Sequence, residues 1–113
     1  MNVTTSHSDG VAILEVHEAR LTYPILPDFA TTATGLIGQG EKRIVIDLGA
    51  VGYVDSATIG CLMDLYRQAS AAGGVLKLAS VQKRVETMLT MTGAHNFLEF
   101  YADRASALAS FGA

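Results

Sequence analysis

Apolar positions along the chain fall into short runs and stripes divided by polar or glycine-rich punctuation, and their changing period predicts the elements. The run at 44–48, Ile-Val-Ile-Asp-Leu, is almost unbroken and rich in β-branched residues, as in a strand covered on both faces of a parallel sheet. VAILEV at 11–16 reads as an earlier strand, VLKLA at 75–79 as a later one, and 97–101 as a last short one. Residues 1–10 are polar, a frayed lead or a short edge strand closed by the turn pair Asp9-Gly10.

Between these runs the period lengthens. Ile59, Leu62, Tyr66 and Ala69 fall at i, i+3, i+7 and i+10, which predicts a helix over 58–72 with that stripe on the sheet. Met63 and Cys61 lie at its margins, Asp64, Arg67 and Gln68 mark the wet face, and Gly73-Gly74 ends it in the left-handed conformation. Over 81–92, Val81, Val85, Met88, Leu89 and Thr92 share a face, with Ser80 as the expected cap and Gly93 as the stop. Asp103 or Ser106 opens a C-terminal helix whose Ala105, Leu108, Ala109 and Phe111 cover one side of the sheet. Pro24 and Pro27 forbid a helix interior, so 17–27 reads as a loop leading into a helix from about Pro27 or Asp28 to Gly38. Alternating strands and helices with short connections predict an α/β fold: a single domain with a mixed or parallel sheet of four to five strands covered by about four helices.

Composition narrows the function without naming it. With 113 residues, 50% of them apolar and 17% charged, the chain is one ordinary domain, and a net charge of −3 gives no basic footprint for nucleic acid. Cys61 is the only cysteine, so no internal disulfide forms, and no Cys/His set has metal-ligand spacing. The glycines form neither a dinucleotide fingerprint nor a Walker A loop, so no cofactor is implied. No leader pattern and no run of about 18 apolar residues is seen, so neither export nor a membrane span is indicated and the cytoplasm is the default expectation.

The candidate chemistry lies where the apolar segment 51–54 passes into the polar turn Asp55-Ser56-Ala57-Thr58 and then a helix. In open parallel sheets, sites form outside the carboxyl ends of the strands at such transitions. Ser56 can accept from backbone N–H groups two or three residues on, and Asp55 adds a carboxylate beside the same unsatisfied donors. Asp47 reads as a support of the turn. His7, His17 and His95 share no motif and read as surface or satisfied histidines. Cys61 lies on the first helical turn, where a lowered pKa is open, though Gly60 and Leu62 beside it suggest packing. Tyr53 and Tyr66 are partner anchors or core aromatics.

These residues carry a resemblance. IVIDLGAVGYVDSATIG, GGVLKLASV and VETMLTMTGAHNFLEFY are similar to the STAS family, the anti-sigma factor antagonist domains of bacterial partner-switching systems. The match runs from about Ile44 to Phe111: a strand, a D-S-[ST]-G-[LIV] turn, a helix, GG-x-L-x-L and a helix of the R-V-x-x-x-L-x-x-x-G kind. It weakens before that, where the family's G-x-[IL]-D segment gives way to His17-Glu18-Ala19-Arg20-Leu21 and the prolines. The resemblance implies a non-enzymatic, STAS-like docking module. Its unphosphorylated form binds an ATP-using anti-sigma factor or serine kinase, and a phosphate on the turn, bringing about −1.5 to −2 charges, releases the partner.

Asp55 and Ser56 match the family's turn, whereas the phosphoacceptor position is Ala57 and the following glycine is Thr58. Phosphoacceptor candidates are therefore Ser56 and Thr58, and the leading reading is that neither is a physiological acceptor, with Ser56 ranked next. The expected contact surface is Asp55, Ser56, Ala57 and Thr58, the exposed edge of the following helix, and the 24–28 loop with Asp28. A homodimer stays open. Two other readings are an accessory STAS subunit on a transporter ATPase and a small α/β hydrolytic enzyme using Asp55 and Ser56, the latter lacking a general base at a fixed offset.

Overall fold

The chain opens as a hairpin, β1 (Val3–Ser8) running antiparallel to β2 (Val11–Val16) with Ser8 paired to Val11. Asp9 and Gly10 link them with φ of 50° and 80°, the two left-handed positions of a hairpin turn that matches strand twist. This is the computed structural model of the chain; it describes residues 3–112, and the expectation for residues 1 and 2 lies outside them. Residues 3–8 form the edge strand.

Two further strands, β4 (Arg43–Asp47) and β6 (Val75–Ala79), extend the sheet in the order β1-β2-β4-β6, with β4 parallel to both its neighbours. The sheet is mixed, four-stranded, and parallel except at the hairpin edge. Residues 97–101 are not a fifth strand. Only a single parallel bridge joins Leu78 to Phe100, because a short helical turn at Ala94–Asn96 takes up the chain just before it. A separate pair, β3 (Arg20–Leu21) and β5 (Tyr53–Val54), runs parallel at one end of the molecule.

On one face lie α1 (Leu26–Gly38), α2 (Ser56–Ala71) and α3 (Lys83–Met91), closing a core that includes Leu14, Ile44, Ile46, Phe29, Leu62, Leu78 and Leu89. The two prolines are accommodated as expected: Pro24 enters a short helical turn at Tyr23–Ile25, and Pro27 occupies the first turn of α1, where its missing N–H is not needed. Gly73 (φ 81°) and Gly93 (φ 79°) stop α2 and the segment after α3 in the left-handed conformation.

Several helix details differ from the sequence pattern. Leu65 joins Ile59, Leu62 and Ala69 in the buried stripe of α2 and Tyr66 packs at its margin, because the helix is rolled so that the arc centred on Leu62 and Ala69 faces the core. Ser80 does not cap α3: its φ of 59° bends the chain out of β6, and Gln82 takes the cap position. The opposite sheet face carries Val11, Ile13, Val45 and Ala79 and is covered by α4 (Arg104–Ala109), capped by Asp103, whose carboxylate accepts from the Ser106 N–H at 2.7 Å. Ala107 makes the buried contact there with Leu108 and Phe111 at its margin, while Ala105 and Ala109 face solvent.

Candidate functional site

The small β3–β5 pair brings residues 20–23 to the start of α2. Asp55 follows Val54 in extended conformation and acts as the N-cap. Its Oδ1 accepts from the Thr58 N–H at 2.8 Å and from the Thr58 hydroxyl at 2.7 Å, and its Oδ2 accepts from the Tyr23 N–H at 2.9 Å. The Thr58 hydroxyl also lies 2.7 Å from the Leu21 carbonyl, so its one proton is shared between two acceptors. Asp55 and Thr58 thus tie the loop after β3 to the helix start.

Burial pushes the Asp55 carboxyl upward, but the Thr58 hydroxyl and the backbone N–H groups of Tyr23 and Thr58 outweigh it and hold the pKa below the usual aspartate value. Asp55 is therefore an anion with both oxygens engaged. Thr58 is buried, whereas Ser56 and Ala57 are exposed at the tip of the turn. The turn consequently divides into an inner pair, Asp55 and Thr58, and an outer pair, Ser56 and Ala57. Asp28 is exposed on the first turn of α1, and what the turn grips from that region is the Tyr23 backbone instead.

Two features beside the turn were not legible in the sequence. Tyr53, Val54 and Ile59 form, with Met88 and Met91 of α3 and Thr92 just after it, a shallow groove of about 370 Å³ that ends at Asp55 and Ser56. The Arg20 guanidinium lies 4.3 Å from the centre of the Tyr53 ring. Residue 53 is thus half-exposed at the groove, and Tyr66 instead packs in a tilted pair with Phe97 at 6.5 Å. The one hint in the sequence was Met91, which falls off the apolar stripe that Val85 and Leu89 continue.

The remaining candidates resolve into structural roles. Asp47 lies behind the turn, where its carboxylate accepts from the Gly49 N–H at 2.9 Å and from Arg104 Nε at 2.8 Å, while Arg104 Nη2 reaches Glu15 at 3.0 Å. Both carboxylates, Asp47 first, raise the Arg104 pKa. His7 pairs with Glu41 at 2.7 Å, His17 with Thr4 at 2.9 Å, and His95 is exposed. Cys61 is half-buried, and burial followed by the charge of Asp64 pushes its thiol up rather than down, so the helix start does not activate it. Among the described residues no cluster of His, Cys, Asp and Glu could hold a metal ion, and no helix is long and apolar enough to cross a membrane.

A mixed sheet whose parallel strands deliver a D-S-x-x turn to a long helix, with a capping carboxylate tied to its own helix start, defines the class, and the chain belongs to it: residues 2–107 match the STAS domain family. A Thermotoga neapolitana protein described as a candidate anti-sigma factor antagonist is 28% identical over 72 residues, a match covering 64% of this chain and 64% of that relative, just under two thirds of its length. The crystal structure of a Thermotoga maritima protein of the same description superposes with a TM-score of 0.86 at 22% identity, covering 96% of this chain and 92% of that one. The phosphorylated form of the Bacillus cell fate determinant SpoIIAA superposes with a TM-score of 0.73 at 12% identity, covering 97% and 99%. These structural likenesses establish a shared fold.

Proposed function

We propose that this STAS domain is a protein-docking module of the anti-sigma factor antagonist type, acting in the cytoplasm on an anti-sigma factor with serine-kinase activity within a bacterial partner-switching system. The observation that carries the reading is the division of the Asp55–Thr58 turn. Ser56 and Ala57 stand outward beside an apolar groove, on a platform fixed by Asp55 and Thr58. A rigid, outward turn with apolar surface next to it suits docking, because little conformational freedom is lost on binding.

The same division bears on control. Position 57, where the family carries its acceptor, has no hydroxyl, and the hydroxyl of Thr58 is buried and engaged. Ser56 is the one hydroxyl of the turn open to a kinase, and a phosphate there places about −1.5 to −2 charges beside Asp55 in the docking surface, which favours release. Docking without phosphate control is the default state of a turn lacking the usual acceptor.

A hydrolytic role is disfavoured by the same geometry. Asp55, the carboxylate beside Ser56, has its oxygens taken by three donor groups and a lowered pKa, so it is a poor proton acceptor for a nucleophilic serine. Incubation with the cognate anti-sigma kinase and ATP, followed by phosphosite mapping, tests control: phosphate on Ser56 makes the module a switch, and no incorporation makes it a fixed binder. Retention of the partner by Ser56→Asp as fully as by wild type sinks the turn as the contact.

A further inference from the structure

The groove beside the turn carries information about what fills it. Its walls are Tyr53, Ile59, Met88 and Met91, and Met91 is 81% exposed. Unbranched, polarisable thioethers left in water at a concave surface are adaptable contacts for an apolar side chain. An apolar occupant follows from the lining.

Charge sets the rest. Arg84, Met88 and Met91 stand at i, i+4 and i+7, so α3 presents a guanidinium on the flank that carries the groove methionines. Arg84 is exposed and forms no ion pair among the described residues. Glu86, two positions on, projects about 200° away by the helical period. Beside the groove, Arg20 stacks on the Tyr53 ring. The carboxylate at the end of the groove, Asp55, remains an anion, but both its oxygens are turned to the Tyr23 and Thr58 N–H groups and the Thr58 hydroxyl. Two guanidinium groups thus flank the groove against this one inward-turned carboxylate, although the chain has a net charge of −3.

We propose that the groove receives an apolar side chain carried on an acidic segment of the partner protein, whose flanking carboxylates pair with Arg84 and Arg20. This deepens the docking reading above and rests on it. Arginines at the rim of an apolar anchor point steer an acidic partner and discriminate against a basic one.

Three synthetic peptides test it: a short acidic peptide with a central leucine, the same peptide with asparagine and glutamine for its acids, and the acidic peptide with serine for leucine. Binding is followed on the methyl signals of methyl-labelled methionines. The acidic leucine peptide is expected to shift Met88 and Met91 but not Met63, with a Kd on the order of millimolar, and the other two to bind at least about tenfold more weakly. Arg84→Glu is expected to cost about tenfold, and Arg67→Glu, on the wet face of α2, nothing. An acid at position 84 suits a helix start, so the variant keeps its fold. Equal binding of the neutral peptide, indifference to Arg84→Glu, or no shift at Met88 and Met91 overturns the proposal. A chain that ignores the acidic peptide yet still retains its anti-sigma partner in a Ser56-dependent way overturns this inference alone and leaves the docking reading standing.

Discussion

The Thr58 hydroxyl lies 2.7 Å from the Leu21 carbonyl, spanning 37 positions of sequence to join the end of β3 to the first turn of α2. In a family whose turn places glycine at this position, the contact adds a side-chain brace where the backbone alone would otherwise set the shape. The brace explains why a β-branched residue with modest helix propensity is tolerated in the first turn: its hydroxyl lies against the Leu21 carbonyl and the Asp55 carboxylate.

Removing that hydroxyl while keeping the shape is expected to be costly. Thr58→Val removes a buried donor from the Leu21 carbonyl and from Asp55 and is expected to lower stability by about 1–3 kcal/mol, read as a shift in urea midpoint at constant m-value. Thr58→Ser keeps the hydroxyl and is expected to recover most of the loss. If valine and serine variants unfold at the same midpoint, the contact contributes nothing.

The Asp55 carboxylate makes the turn acid-sensitive in a defined direction. Because its folded pKa is depressed, its contribution is fully present above the ordinary aspartate value of about 3.9 and is lost as pH falls through the lower folded value. The amide signals of Tyr23 and Thr58, both donors to this carboxylate, are expected to titrate together with a midpoint below about 3.9. A midpoint at or above that value would contradict the geometry, and Asp55→Asn is expected to abolish the transition.

Arg104 holds α4 to the far face of the sheet through Asp47 and Glu15. Arg104→Met removes the partner of a carboxylate only 8% exposed, and leaves it the Gly49 N–H alone. A loss of about 1–3 kcal/mol is expected, together with faster amide exchange across α4. Unchanged exchange in α4 would show that Ala107, Leu108 and Phe111 suffice to hold it.

Cys61 is expected to react slowly. With its thiol pushed up by burial and by Asp64, labelling by a disulfide reagent near neutral pH should lag behind free cysteine and catch up in denaturant. Labelling as fast as free thiol in the folded chain would show that the half-buried sulfur is open to solvent and ionised.

Elements written in local pattern are legible in the amino-acid sequence. The β-branched run of β4, the Asp9-Gly10 hairpin, the glycine stops after α2 and α3, and Asp103 as the cap of α4 each depend on residues within a few positions, where backbone sterics and period decide the outcome. The Asp55-Ser56 turn is legible for the same reason, as polar residues between an apolar run and a helical stripe. Less legible is which neighbour on a stripe is buried. Leu65 and Ala107 displace Tyr66 and Ala105 because the choice depends on how a helix is rolled on the sheet, and small rotations that follow packing leave the spacing almost unchanged.

The amino-acid sequence by itself determined the order of strands and helices, the α/β class and the place of the turn, since these follow from periodicity and from backbone preferences of single residues. Only the tertiary structure decided which hydroxyl of the turn faces outward. Asp55 and Thr58 are turned inward by groups at Leu21 and Tyr23, and the methionine groove with its arginines is assembled from β3, β5, α2 and α3. Those contacts join residues more than thirty positions apart, so they exist only once chain closure has been offset by burial of the common core, and no local pattern encodes them.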